Sequence, residues 1–203
     1  MSDFAIYLGL GFDHITDLRG YDHILFVIAL CAIYTLRQWR QVLILVTAFT
    51  IGHSVTLALA TLQVLEYRTD VVELLIPITI LITAVVNFFH QEKSSRFAIG
   101  KAKERSRARY VLAGVFGLIH GLGFSNYLRS LLGRESAILQ PLLAFNIGLE
   151  LGQLLFVMLV LSIAWVVVDR LNVGKRTWIL IVSGMVAGMA ISLILANKLV
   201  AGE

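Results

Sequence analysis

Asp22-His23, His53, His120 and Glu150 each interrupt a long apolar run, and His14 stands shortly before the first of them. Imidazole nitrogens and carboxylate oxygens are the ligand set of a divalent transition ion such as Ni, Zn, Co, Cu(II) or Mn, whereas Cu(I) asks for clustered thiolates or thioethers. The chain has one cysteine, Cys31, and four scattered methionines. Inside the apolar runs there are acids and imidazoles, but no Lys or Arg reaches the centre of a run. A carboxylate in hydrocarbon must be protonated, hydrated or bound to a cation. A carrier of anions would show the opposite sign, so this inventory points to a metal ion or to protons.

Spacing places these groups. At about 1.5 Å per helical residue, His53, His120 and Glu150 lie about 16–18 Å from the ends of their runs, the depth of a membrane midplane. Asn146, Glu150 and Gln153 follow i, i+4, i+7 and form one polar stripe. Thr50 and Ser54 flank His53, and Glu73 and Asn87 stand close to four helical turns apart. Asn146, Gln153, Thr50, Ser54, Glu73 and Asn87 are therefore read as supporting groups, able to hold the second nitrogen of a neutral imidazole. His14, Asp22 and His23 are placed at an outer mouth, a vestibule above a central site of His53, His120 and Glu150.

The elements that must carry these residues are membrane helices. With 58% hydrophobic and 15% charged residues and a mean hydropathy of +0.84, the chain holds more apolar surface than a water-soluble globule can bury. A hydrocarbon core of about 30 Å needs about 20 helical residues. The apolar runs then predict an all-α integral membrane protein, one transmembrane domain over residues 1–203. Six transmembrane helices are expected at about 20–36, 41–64, 71–90, 109–132, 137–168 and 176–200, with residues 1–19 as a short interfacial or re-entrant helix.

Of the seventeen Lys and Arg, only Arg19, Arg68, Arg129, Arg134 and Lys198 fall on one side of these spans. The basic side faces the cytoplasm. Both termini are then outside, the chain is multi-pass in a bacterial inner (plasma) membrane, and Gln91–Arg109 is a basic cytoplasmic loop held against anionic lipid rather than nucleic acid. Gly117-x-x-x-Gly121, Gly148-x-x-x-Gly152 and Gly184-x-x-x-Gly188 predict close helix contacts in the last three spans. Ala48-Phe49-Thr50-Ile51-Gly52-His53 aligns with Ala144-Phe145-Asn146-Ile147-Gly148-Leu149 at an offset of 96, which brings His23 within one residue of His120. Two three-helix halves in opposite orientation, a 3+3 inverted repeat, would build a midplane site between them.

Four motifs carry a family resemblance: His14-x7-Asp22-His23, Phe49-Thr50-Ile51-Gly52-His53-Ser54, Gly117-Leu118-Ile119-His120-Gly121-Leu122-Gly123-Phe124, and Phe145-Asn146-Ile147-Gly148-Leu149-Glu150-Leu151-Gly152-Gln153. In order and over nearly the whole chain they resemble the HupE/UreJ family of hydrogenase and urease accessory membrane proteins, in particular its second branch. The resemblance implies a permease for nickel or a related divalent metal, with His14, Asp22, His23 and His120 as metal-associated residues.

The expected function is thus a divalent-metal permease, the ion passing His14, Asp22 and His23 to reach His53, His120 and Glu150. The expected partners are the metal ion as substrate, membrane lipids and further copies of the chain as a homo-oligomer, with no nucleic acid. No Walker A motif supplies ATP drive within the chain. The alternative is an intramembrane metal-dependent hydrolase acting on a lipid or peptide, in which the bound ion activates water.

Overall fold

A computed structural model describes residues 3–90, 99–132 and 138–202. Every regular element among the described residues is helical: α1 (Asp3–Thr16), α2 (Asp22–Cys31), α3 (Trp39–Thr61), α4 (Thr69–Phe88), α5 (Ile99–Leu132), α6 (Leu139–Ala164), α7 (Lys175–Leu195) and the single turn α8 (Lys198–Ala201). Short 3-10 turns at Leu18–Gly20 and Leu36–Gln38 precede α2 and α3, and one π turn, Trp165–Arg170, ends α6. The Gln38 side chain accepts from the Thr35 N–H at 3.2 Å, satisfying a free donor where the chain turns into α3. At the other end of α4, Arg176 donates to the carbonyls of Phe88 at 2.5 Å and His90 at 3.0 Å, occupying acceptors that the helix leaves open.

Five helical stretches are long and apolar enough to cross a membrane: Leu36–Thr61, Thr69–Phe88, Arg107–Leu131, Leu139–Arg170 and Lys175–Leu195. Their outward faces are apolar. Ile44, Ile51, Val55 and Leu59 on α3, Leu143, Ile147, Leu151 and Leu155 on α6, and Ile181, Met185 and Met189 on α7 recur four or seven residues apart and are all exposed. A water-soluble helix turns such a stripe inward. These five match the second to sixth expected spans. The first does not: α2 is ten residues long, and the residues before it form the separate helix α1. Of the basic stretch 91–109, residues 91–98 lie outside the described residues, and the rest is the start of α5 rather than a loop.

Packing follows the small residues. A Cβ built on Gly52 would overlap the Gly114 carbonyl, one on Gly117 the Phe49 carbonyl, and one on Gly121 the His53 carbonyl. Only hydrogen fits where the α3 and α5 backbones touch. The pair α1/α6 is built alike, with Gly11 against the Phe145 carbonyl and Gly148 against the Leu8 carbonyl. In both pairs the contacts climb the two helices together, so the partners run parallel. The correspondence goes residue by residue. Gly117 faces Phe49 and His53 as Gly11 faces Phe145 and Leu149, at the offset of 96 in the second helix; Gly52 faces Gly114 and Leu118 as Gly148 faces Leu8 and Phe12. A Cβ built on Gly184 or Gly188 meets nothing within 4 Å among the described residues, so the expected contact in the last span is not made there.

The helix α2 is apolar all round, with His23, Ile24, Leu25, Phe26, Val27, Ala29 and Cys31 buried, and it sits in the middle of the bundle against α4, α6 and α7. Asn87 of α4 fastens its far end, donating to the Ala29 carbonyl at 2.8 Å and to Ser183 of α7 at 3.3 Å.

Candidate metal centre

The break between α1 and α2 decides the site. α1 ends two residues after His14, a short 3-10 turn follows, and α2 begins with Asp22-His23. The His14 and His23 rings thereby come within 4.6 Å of each other, His23 within 5.8 Å of His53 on α3, and within 5.1 Å of His120 on α5 (ring centroids). The glycine contacts Gly52, Gly117 and Gly121 press α3 on α5 at the level of His53 and His120. His120 is near the middle of the span Arg107–Leu131. His14, Asp22 and His23 therefore stand beside the central histidines and not at an outer mouth above them. Residues 20–36 are not one helix with Asp22 at its outer end: Asp22 opens the ten-residue α2.

Among the described residues, two groups share His23: His14, His23 and His53, and Asp22, His23 and His120. In each, one donor atom per residue lies within 4.8 Å of the others. Three ligands around one ion with bonds of 2.0–2.1 Å stand about 3.3–3.6 Å apart, so each group would draw in by up to about 1.5 Å to hold an ion. The donor chemistry also fits. His14 Nε2, His23 Nε2, both nitrogens of His53 and His120 Nδ1 are buried without a hydrogen-bond partner. Buried polar atoms normally find one, and with one ring nitrogen each from His14, His23, His53 and His120 gathered beside the Asp22 carboxylate, these residues could hold a cation. His23 Nδ1 lies 3.1 Å from Asp22 Oδ1, which also accepts the His23 backbone N–H at 2.9 Å. With that carboxylate holding the proton on Nδ1, the Nε2 lone pair of His23 faces the cluster.

Phenylalanines wall the site. Phe124 lies 4.0 Å and Phe145 5.8 Å from the His14 ring, and Phe26 and Phe49 each lie 5.1 Å from His120. On the His14 side an open cavity of about 500 Å³ is lined by Asp13, His14, Thr16, Asp17, Phe124 and Tyr127. On the other side Phe26, Phe49 and Phe116 pack together, and beyond Phe116 lies a cavity of about 30 Å³ bordered by Tyr34, Asn87 and Arg109.

The remaining expected residues lie elsewhere. Glu150 belongs to neither group; its carboxylate accepts from Thr47 at 2.9 Å, bridging α6 to α3. Depth alone matched it to the histidines, and its direction on α6 takes it away from them. Thr50 meets Gln153 at 2.8 Å in a second bridge between the same helices. Asn146 donates to the Leu142 carbonyl and Ser54 to the Thr50 carbonyl, each within its own helix. Asn87 holds α2 as described, and Glu73 is exposed. A residue absent from the expected set touches the cluster: Thr79 of α4, whose hydroxyl meets His120 Nε2 at 2.9 Å. The sequence signal was an i, i+4, i+8 face of Thr79, Thr83 and Asn87 in an apolar helix.

The family profile described as HupE / UreJ protein matches residues 1–198. No curated protein and no solved structure matches the chain.

Proposed function

The chain belongs to the HupE/UreJ family, and on that premise we propose that it is a membrane permease for a divalent transition-metal ion, nickel or a related one. The carrying observation is the gathering of four histidines with buried, unpartnered ring nitrogens, and one carboxylate, at mid-depth. The ion comes from the cavity beside His14, is taken by His14, His23 and His53, and passes to Asp22, His23 and His120. His23, common to both groups, lets it change ligands without leaving the cluster. Onward passage needs Phe26, Phe49 and Phe116 to part toward the cavity at Arg109.

The reading includes six spans. α1 lies along the first half of α6, and α2 continues on the other side of the break among α4, α6 and α7. Their fourteen and ten residues give about 36 Å of helix, enough for a hydrocarbon core of about 30 Å. Non-helical backbone at that depth is tolerable where it borders a water-filled cavity, and Thr16 and Asp17 border one. It also includes the inverted repeat, as halves α1-α3-α4 and α5-α6-α7 with α2 added to the first. The matched glycine contacts support it, and they pair His120 with His14, both three residues after the glycine, instead of with His23. The membrane is the bacterial inner membrane, with both termini outside.

Metal flux tests the reading. Purified protein in liposomes should carry Ni²⁺ inward saturably, and uptake should fall as the outer pH is lowered, because imidazole must lose its proton to bind metal. No flux above protein-free liposomes at any pH would remove the permease reading.

A further inference from the structure

Thr79 is buried, and its Oγ1 lies 2.7 Å from the Ile76 carbonyl oxygen as well as 2.9 Å from His120 Nε2. A hydroxyl has one proton to donate. A carbonyl can only accept, so the shorter contact takes the Thr79 proton, and Thr79 Oγ1 is left as an acceptor toward His120. His120 Nε2 must then carry the imidazole proton. Its Nδ1, buried and without a partner, keeps the lone pair. The opposite tautomer would bury an N–H at Nδ1 with nothing to accept it and no lone pair for an ion.

We propose that Thr79 is the positioning residue of the metal cluster. It holds His120 in the Nε2–H tautomer, so that Nδ1 is the atom offered to the ion together with Asp22 and His23. This rests on the reading of the cluster as the ion's site. Asp22 does the corresponding service for His23 from the other ring nitrogen. The two histidines thus present different nitrogens to one group, which lets a ring on α2 and a ring on α5 meet from different directions.

Thr79→Val keeps the shape and removes the oxygen; Thr79→Ser keeps the oxygen. Nitrogen NMR of metal-free protein labelled at histidine separates the tautomers without any transport. The wild type and T79S should carry the His120 proton on Nε2, and T79V should shift it toward Nδ1. Titration with Ni²⁺ should show a loss of about 10–100-fold for T79V, the range typical of partners that orient metal ligands, and T79S within about threefold of wild type. A wild-type proton on Nδ1, or T79V with unchanged tautomer or unchanged affinity, overturns the proposal. Should T79V not accumulate in the membrane, the wild-type spectrum decides it alone. Wild-type protein that binds no Ni²⁺ but shows the Nε2–H tautomer supports the role of Thr79 in setting the tautomer and overturns the function it serves.

Discussion

His23→Ala is expected to weaken Ni²⁺ binding at least about 100-fold, or about 2.7 kcal/mol, and with it to stop transport. His23 is the one residue present in both groups of potential ligands, so no complete group survives its loss. The change also strands Asp22, whose carboxylate loses its imidazole donor. His53→Ala is the informative contrast. It dismantles only the group with His14, leaving Asp22, His23 and His120 in place, and should cost about tenfold or less in affinity while slowing uptake. Calorimetric titration of purified protein measures both. Equal, small losses in the two variants would mean that His23 is not shared and that the ion is held elsewhere.

Gly117→Ala should be nearly as damaging although it removes nothing. The added methyl falls on the Phe49 carbonyl oxygen and against the His53 amide nitrogen, both backbone atoms that no rotamer change can move aside. The helices α3 and α5 must separate, at the level where His53 and His120 face the same cluster. Overpacking of this kind costs about 1–3 kcal/mol, outweighing the gain of up to about 1 kcal/mol from replacing a helical glycine by alanine. A loss of thermal stability together with about a tenfold or greater loss of metal affinity is expected. Gly184→Ala is the control: its new methyl meets nothing within 4 Å, so stability should hold or rise slightly. If the two substitutions behave alike, the α3/α5 contact does not set the site.

The sequence announces the spans well and the azimuth of their residues poorly. Hydropathy gives length and depth, which is why α3, α4, α6 and α7 lie close to where they are expected, and why His53 and His120 are recognisable as deep residues. Depth does not say which way a side chain points. Glu150 has the right depth and turns to Thr47. Gly184 has the right spacing and faces no neighbour among the described residues, whereas Gly117 with the same spacing is wedged against backbone. The first span is misread for another reason. Two short helices, α1 and α2, with a polar break between them give two weak hydropathy signals, and joining the apolar run 20–36 into one helix hides that Asp22-His23 opens α2 beside His14. Thr79 is missed because an inventory of ionisable groups passes over a hydroxyl, although a neutral imidazole needs a partner for its second nitrogen.

On the proposed function, one divalent ion is held by the histidines gathered at the α1–α2 break. Anomalous scattering from crystals of Ni²⁺-loaded protein, recorded on both sides of the nickel absorption edge, locates that ion directly. A peak is expected within bonding distance of His23 Nε2, shared either with His14 and His53 or with Asp22 and His120 Nδ1. A peak beside Glu150 and Thr47, or bound nickel only at the basic surface, would contradict it.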